Sequence, residues 1–574
     1  MVLSRIRIIF AHNLAICAME KTTEFNKEIE QAIITNWEKD ALTDYKGITL
    51  QYHDVARKIE KLHILFEYSG VKRGDRIALC GRNSACWAVA FLATISYGAV
   101  VVPIQHEFKP EQIHNIVNHC EAKLLFIGDV VATTINEDEM PALEGIVYIP
   151  DYSVIVSRTE KLTYAREHLN EIYGNKYPKY FRQEHIHYYR PSDPEELAAI
   201  NYTSGTTGFS KGVMLSYRVF WSNYDYLKNI VGSHIKTNSN VMCILPLAHM
   251  YGLMCEFILE FLQGNHLYFL TRLPSPTLIQ EAFRDVKPAI IVSVPLVLEK
   301  IIRKDIFPVV QTNKMRLLMN MPVVSKKIKE HICQKVNEVL GGNAYEVIVG
   351  GAGLNAEIEA FLVSVGFPIT IGYGTTETGP MISFSDQKDF IPGSCGTCAA
   401  HMEIKILSED PEHIPGEIIT RGLNVMSGYY KNEEATHAVL DDDGWFHTGD
   451  LATMSEDGHL FIRGRIKNML LGSNGQNVYP EEIENKLNSM AMVNESIIIQ
   501  HGDKLVGLVY PDLEEAHNMG FSEKDIVDIM EQNRISLNAK LPSFCKLSEI
   551  KLSESEFEKT PKKSIKRYLY QNTI

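Results

Sequence analysis

The stretch Y-T-S-G-T-T-G-F-S-K-G, Tyr202 to Gly212, follows the apolar run Leu197 to Ile200, which reads as a strand. Glycine lets backbone N–H groups curl toward an anion, the Ser and Thr hydroxyls add donors, and Lys211 supplies a mobile positive charge. That chemistry suits a polyphosphate. The stretch is not a Walker A loop, which needs G-x4-G-K-[ST]. Counted from Gly205, the second glycine falls on Ser210, and Gly212 sits where a magnesium-binding hydroxyl belongs. Around this stretch helices and strands alternate along the chain, and that alternation is the mark of an α/β layered fold.

Upstream, Val55, Ile59, Leu62, Leu65 and Phe66 form a helical stripe that Gly70 ends, and a short strand, Ile77 to Cys80, follows. The run Ala85 to Ile104 carries no charge and is long enough to span a bilayer. Thr94, Ser96, Tyr97 and Gly98, then the β-branched block Val100 to Val102, split it into a buried helix, a glycine turn and a strand. No transmembrane segment is expected. Residues Asp151 to Arg190 are polar and rich in tyrosine and read as a surface excursion. Strand-length apolar runs then return at Val241–Pro246, Ala289–Val294 and Glu346–Val349. After Gly464 the character changes. A helix opened by Pro480-Glu481-Glu482 precedes two strands, Glu495–Gln500 and Lys504–Tyr510, joined at Gly502-Asp503. The reading is α/β, with a large layered N-terminal domain of several subdomains (20–464), a hinge (465–468) and a small α+β C-terminal domain (469–574). Residues 1–19 are expected to be poorly ordered or to precede the true start: Arg5 and Arg7 before Ile8–Ala18 mimic a signal peptide, but His12 and Asn13 interrupt the run.

The 574 residues suggest about two to four domains on length alone. A formal charge of −14 gives no footprint for nucleic acid. A polyphosphate must therefore be held by local donors and a metal, not by a global field. Of ten cysteines only Cys395 and Cys398 have C-x-x-C spacing, without the second pair a zinc site wants, so they read as free thiols in a loop. Scattered cysteines fit a reducing cytoplasm.

Four further segments carry chemistry. In I-G-Y-G-T-T-E-T-G-P, Ile371 to Pro380, Tyr373 offers a stacking face, Thr375 and Thr376 offer donors, and Glu377 is a hard oxygen ligand suited to magnesium. V-G-G-A-G-L-N, Val349 to Asn355, follows a strand and lets backbone approach something flat or anionic. W-F-H-T-G-D ends at Asp450, and R-G-R-I-K-N begins thirteen residues later, so that Asp450 and Arg465 can both meet one sugar. The fourth is S-N-G-Q-N-V-Y-P-E-E-I-E, Ser473 to Glu484.

Together, and in this order, these segments resemble the adenylate-forming enzymes, the family of acyl-CoA synthetases, luciferases and nonribosomal-peptide adenylation domains. The resemblance runs from about Ala198 to Arg567, and the α/β rhythm extends it back to about residue 30. It implies that Thr203, Ser204, Gly205, Thr206, Thr207, Gly208 and Lys211 hold the ATP phosphates, that Glu377 binds Mg2+, and that Thr376 meets the α-phosphate. It further implies nucleotide contacts for Tyr373, Gly374 and Thr375, adenine and acyl contacts for Gly351 and Ala352, and ribose contacts for Asp450 and Arg465. Ser473–Glu484, with Gly475, is similar to the loop of a mobile small domain that swings in for a thiol step. Gly353 stands where the family usually has Pro, so that motif matches only in part, and two further positions depart from the family. Asn468 stands at the hinge, where Asp or Lys is usual. Ser564, in T-P-K-K-S-I-K-R, stands where the family has a catalytic Lys. In an extended segment Lys562 and Lys566 share a face with Ser564, and Lys566 is the expected replacement.

The expectation is an acyl-CoA synthetase using ATP, Mg2+ and coenzyme A, with Lys211, Thr376, Glu377 and Lys566 as catalytic residues. In L-P-L-A-H-M-Y-G-L, Leu245 to Leu253, His249 matches the position that gates the acyl pocket, and Gly252 lines it. The residues that follow hold one acid, Glu256, outside the context that amino-acid-activating relatives use. The substrate is therefore expected to be a medium- or long-chain fatty acid, which would also bring the protein to membrane surfaces peripherally. Two alternatives stay open: an acyl-AMP ligase loading a carrier protein, and a non-catalytic nucleotide-binding relative.

Overall fold

In the computed structural model the described residues are 22–203, 210–272, 274–310, 312, 325–471, 477–502, 504–559 and 565–571. Two sheets organise the described residues up to Ile371, and Gly428–Tyr429 joins the first of them. The first has eight strands in the order Gly428–Tyr429, Lys211–Ser216, Leu197–Thr203, Val100–Ile104, Arg76–Cys80, Leu124–Ile127, Gly145–Tyr148, Val154–Ser157. Its centre is parallel, with Arg76–Cys80 between Val100–Ile104 and Leu124–Ile127. Every residue of Val100–Ile104 is buried, as expected where helices cover both faces of a parallel sheet.

The uncharged run before it is resolved as expected. Ser84 caps a helix, Ala85–Tyr97, by accepting from the Trp87 N–H at 3.1 Å, and Gly98 ends it at φ 89°, where a side chain would be strained. That helix is buried almost all round, so its apolarity reflects a place in the core and not a membrane. Among the described residues no helix is long and apolar enough to cross a membrane.

The second sheet has seven strands in the order Ile369–Ile371, Glu346–Val349, Ile290–Ser293, Asn240–Cys243, His266–Phe269, Asp40–Asp44, Thr49–Gln51, parallel except for the last. The apolar run from Val241 stops pairing at Cys243, and residues 244–249 turn toward the first sheet. A helix then runs over 250–262, with π-helical hydrogen bonding at Gly252–Ile258.

The segment Asp151–Arg190 lies mostly at the surface, as expected, but carries regular structure that the sequence reading did not assign. It supplies the edge strand Val154–Ser157 and a helix, Glu160–Lys176, that packs on the helix Tyr52–Ser69. Only Leu162 and Ala165 of that helix are buried. Its anchor is polar: Lys176 Nζ and the Tyr177 hydroxyl both donate to Glu60 Oε1 at 2.8 Å. A helix held this way leaves a weak apolar stripe in the sequence.

Beyond residue 400 an antiparallel sheet of four strands, Met402–Leu407, Gly416–Gly422, Phe446–Met454 and Leu460–Arg465, leads to the α+β unit. There the helix Pro480–Leu487 packs on the paired strands Val493–His501 and Lys504–Pro511, with Leu547–Leu552 parallel to the latter. Val478, Leu487, Val509, Ile526 and Leu537 form a core of its own. Arg567 ties the tail to the buried Glu484. Burial pushes the Glu484 carboxyl up, and Arg567 opposes that shift. Polar contacts join this unit to the large domain: Asn355 Nδ2 donates to Ser489 Oγ at 2.8 Å, and Arg303 donates to the Asn488 carbonyl at 3.3 Å.

Candidate functional site

The strand Leu197–Thr203 ends at Thr203, which pairs with Lys211 on the returning strand. Ser204, Gly205, Thr206, Thr207 and Gly208 lie outside the described residues. On the far side of the returning strand Tyr429 pairs with Val213. This register sets the Tyr429 ring beneath Lys211, whose Nζ is 4.6 Å from the ring centroid. The Tyr429 hydroxyl donates to Glu377 Oε1 at 2.9 Å. Burial, and then the Glu377 charge, raise the Tyr429 hydroxyl pKa far above its ordinary value, so it remains a donor. Lys211 and Glu377 thus meet through one aromatic side chain.

Glu377 lies in the turn Thr376–Thr378, whose backbone is fixed from several sides. Its carbonyl accepts from the Met426 N–H at 2.8 Å, and the Thr378 hydroxyl donates to the Pro380 carbonyl at 2.8 Å. Thr375 Oγ1 is shared with Thr378 Oγ1 at 3.3 Å, and Thr376 is buried. A Cβ on Gly374 would fall 1.8 Å from the Pro380 oxygen, so the backbone itself requires glycine there, whatever nucleotide lies nearby. Among the described residues no three His, Cys, Asp or Glu side chains group as a metal cage. Glu377 alone fits Mg2+ of the kind that takes one carboxylate and completes its shell with water and substrate phosphates.

Asp450 and Arg465 face each other across the antiparallel strands, and Arg465 Nε donates to Asp450 Oδ1 at 2.9 Å. The Tyr373 hydroxyl donates to Asp450 Oδ2 at 2.7 Å. Asp450 is 4% exposed; burial raises its pKa, and Arg465 and Tyr373 pull it back. The aromatic of one segment and the carboxylate and guanidinium of another therefore form one polar group. A hydroxyl-rich ligand such as a ribose can share the remaining lone pairs of Asp450 and the N–H groups of the exposed Arg465.

The loop after the strand Glu346–Val349 is exposed at Gly351, Ala352 and Gly353, and Gly351 has φ 84°. It rests on Tyr251, whose ring would touch a Cβ on Gly350 at 3.0 Å. The Tyr251 hydroxyl donates to the Ile348 and Ser293 carbonyls at 3.2 and 3.3 Å. The structure thus brings the loop of Gly351 and Ala352 to the segment of His249 and Gly252. His249 is half-buried, with Nδ1 accepting from the Tyr251 N–H at 3.3 Å. A Cβ on Gly252 would meet the Pro246 carbonyl oxygen at 2.8 Å, so Gly252 is required for packing the turn onto the helix. Glu256 is fully buried, and its two oxygens accept from the Ile244 and Leu245 N–H groups at 3.1 and 3.0 Å. It is occupied with backbone and does not serve a substrate amine.

Lys566 is not brought to this group by any of its described contacts. Its Nζ pairs with Glu558 Oε2 at 3.2 Å, and its N–H donates to the Glu558 carbonyl at 2.8 Å. Lys562, Lys563, Ser564 and Gly475 lie outside the described residues. Asn468 donates to Glu481 Oε1 at 2.6 Å. A Cβ on Gly353 would lie 3.6 Å from Asn485 Nδ2, so the helix that follows Ser473–Tyr479 sits beside the exposed loop. Tyr429 was not legible as a site residue. Its strand is two residues long, and only the register with Val213 places it.

The chain is similar in sequence and in fold to known proteins. The AMP-binding enzyme family matches residues 29–430, and the AMP-binding enzyme C-terminal domain matches 467–573. Long chain acyl-CoA synthetase 7, peroxisomal, of Arabidopsis thaliana is 29% identical over 525 residues, covering 84% of this chain and 71% of that protein. Human long-chain-fatty-acid–CoA ligase ACSBG2 is 27% identical, covering 79% and 70%. The crystal structure of the anthranilate CoA ligase AuaEII with anthranoyl-AMP superposes with a TM-score of 0.75 at 18% identity, covering 96% of each chain, and shares the fold. The chain belongs to the AMP-binding, adenylate-forming enzyme family and is similar to its long-chain fatty acid–CoA ligases.

Proposed function

We propose that the protein activates a medium- or long-chain fatty acid with ATP and transfers the acyl group to coenzyme A. A carboxylate has no good leaving group. Attack of its oxygen on the α-phosphorus of ATP expels pyrophosphate and makes AMP the leaving group. Thiol attack on the acyl carbonyl then expels AMP. The observation that carries this reading is the assembly of Lys211, Tyr429 and Glu377 at the end of the phosphate-loop strand.

In this reading Lys211 and the hydroxyls around Thr203 hold the β- and γ-phosphates, and Thr376 orients the α-phosphate. Glu377 holds Mg2+, which supplies charge neutralisation on the phosphates when bound. Catalysis is positioning and charge stabilisation by groups set in place beforehand. Asp450 and Arg465 orient the ribose, and Gly351 and Ala352 leave room for the adenine and the acyl group. The occupied Glu256 and the apolar residues around it support an apolar acid over an amino acid. The contacts of Gly353 and Asn355 with the small domain, and the pairing of Lys566 with Glu558, support an arrangement suited to the thiol step. Lys566 would approach the phosphates only after a rotation about 465–468. The nine described cysteines are free thiols, which suits a reducing compartment such as the cytoplasm.

The test is a panel of acids from acetate to oleate, with amino acids and benzoate, scored by AMP release with coenzyme A or with an acyl carrier protein as acceptor. Fatty acids with coenzyme A should lead. Preference for benzoate or an amino acid refutes the substrate class, and acylation of the carrier protein alone refutes the acceptor. Absence of acid-dependent ATP–pyrophosphate exchange refutes catalysis altogether.

A further inference from the structure

The turn at 244–249 belongs to the second sheet, yet side chains from the first sheet hold it. Asn83, in the loop after the strand Arg76–Cys80, donates from Nδ2 to the Leu245 carbonyl at 2.6 Å and accepts the Leu247 N–H on Oδ1 at 2.9 Å. Asn201 donates from Nδ2 to the Ala248 carbonyl at 3.0 Å and is 3% exposed. Glu256 closes the other side through the N–H groups of Ile244 and Leu245. Two further hydrogen bonds are local: the His249 N–H donates to the Pro246 carbonyl at 3.0 Å, and the Leu253 N–H to the His249 carbonyl at 2.9 Å. Successive backbone groups of the turn are thus satisfied mainly by side chains from three separate elements, an arrangement that fixes the turn instead of leaving it to solvent.

The chemistry is specific to asparagine. Asn83 meets one acceptor and one donor with a single amide, which neither a carboxylate nor an alkyl group can do. Asn201 stands two residues before Thr203 on the phosphate-loop strand, and its target carbonyl directly precedes His249. One buried hydrogen bond therefore connects the strand that leads into the phosphate loop with the residue at the acyl side.

We infer that Asn83 and Asn201 are positioning residues that hold the His249 turn in fixed register with the phosphate-loop strand, and so set the acid-binding geometry and chain-length preference. The inference rests on the reading of His249 as a border of the acyl site. Neither asparagine touches substrate in this account; each acts through the turn.

The test uses the full-length enzyme with Asn201→Ala, Asn201→Asp, Asn83→Ala and, as a separate control, His249→Ala. Asn201→Asp sets a carboxylate against the Ala248 carbonyl without changing size; Asn201→Ala is the milder change should the former fold poorly. Each asparagine variant should raise the KM for the fatty acid by at least about fivefold, the value of one buried hydrogen bond, and leave the KM for ATP within about twofold. The chain-length profile should broaden, and amide hydrogen exchange over 244–253 should accelerate. A purely structural role lowers the active fraction, and therefore kcat, without moving either KM; that outcome overturns the inference. So does unaccelerated exchange over 244–253. If His249→Ala leaves the acid KM and chain-length profile unchanged, the acyl-site reading itself has failed and the specificity role falls with it. An altered acid KM in His249→Ala beside unaltered values in all the asparagine variants overturns the inference alone.

Discussion

Tyr429→Phe removes one oxygen and leaves the ring under Lys211, so it isolates the hydrogen bond to Glu377. A hydrogen bond to a charged group is worth about 1.5–3 kcal/mol. Glu377 is half-buried, and water can take part of the place of the lost donor, so the net loss falls at or somewhat below the lower end. About 1–1.5 kcal/mol corresponds to a loss of roughly five- to twelvefold in acid-dependent ATP–pyrophosphate exchange at saturating magnesium. Glu377→Gln keeps the shape, removes the charge and should cost at least about tenfold. If Tyr429 acts only by orienting the carboxylate, its hydroxyl has little left to do against a neutral amide. The double variant should then match Glu377→Gln to within about twofold, a coupling of nearly the whole Tyr429→Phe effect. Independent effects would multiply instead, to roughly fifty- to a hundredfold. Multiplication, or a Tyr429→Phe enzyme with parental exchange, refutes the argument that Tyr429 positions Glu377.

Glu260 is fully buried, its pKa is pushed up to about 7 by burial, and Asn265 opposes the shift by donating at 2.7 Å. The folded state therefore holds this proton more tightly than the unfolded chain does. That stability is full below the ordinary value of 4.5 and is lost as pH rises to about 7, in all about 3 kcal/mol. Glu260→Gln should gain on the parent by roughly 2–3 kcal/mol between pH 5 and pH 8, and parallel thermal midpoints across that range refute the assignment. Lys566→Ala should lower exchange at least about tenfold if this ammonium replaces the one missing at Ser564, while the thiol step from pre-made acyl-adenylate survives. Full exchange activity in that variant removes Lys566 from the reaction.

Much of the layered fold is legible because it is written in local signals. The uncharged run to Ile104 contains its own glycine stop and its β-branched strand, and the structure follows both. The helix Glu160–Lys176 is not legible, since a Glu60 carboxylate from another helix holds it and periodicity records only apolar faces. The strand forecast to Pro246 ends at Cys243 for a related reason: apolar residues 244–247 serve a turn whose partners, Asn83 and Asn201, lie far away in sequence. At the site, spacing announces Glu377, Asp450 and Arg465, which carry their chemistry on their own side chains. Tyr429 is announced by nothing local, because its function comes from the neighbour that strand pairing gives it. Gly374 shows the converse, a motif glycine whose requirement is explained by the Pro380 carbonyl.

Asn355 has one hand in each domain. Its Oδ1 accepts from the Glu357 and Ile358 N–H groups at 3.0 and 3.3 Å and caps the helix Ala356–Ser364, while its Nδ2 reaches Ser489. The two tasks fall on different atoms, so letting go of Ser489 leaves the cap intact. What is surrendered is one neutral hydrogen bond that water can replace, worth about 0.5–1.5 kcal/mol, or a factor of roughly two to twelve in population. A tether of that strength favours a docked resting state without trapping it. If the hinge turns once per half-reaction, this contact biases where the enzyme waits between turnovers and has little hold on how fast it turns over.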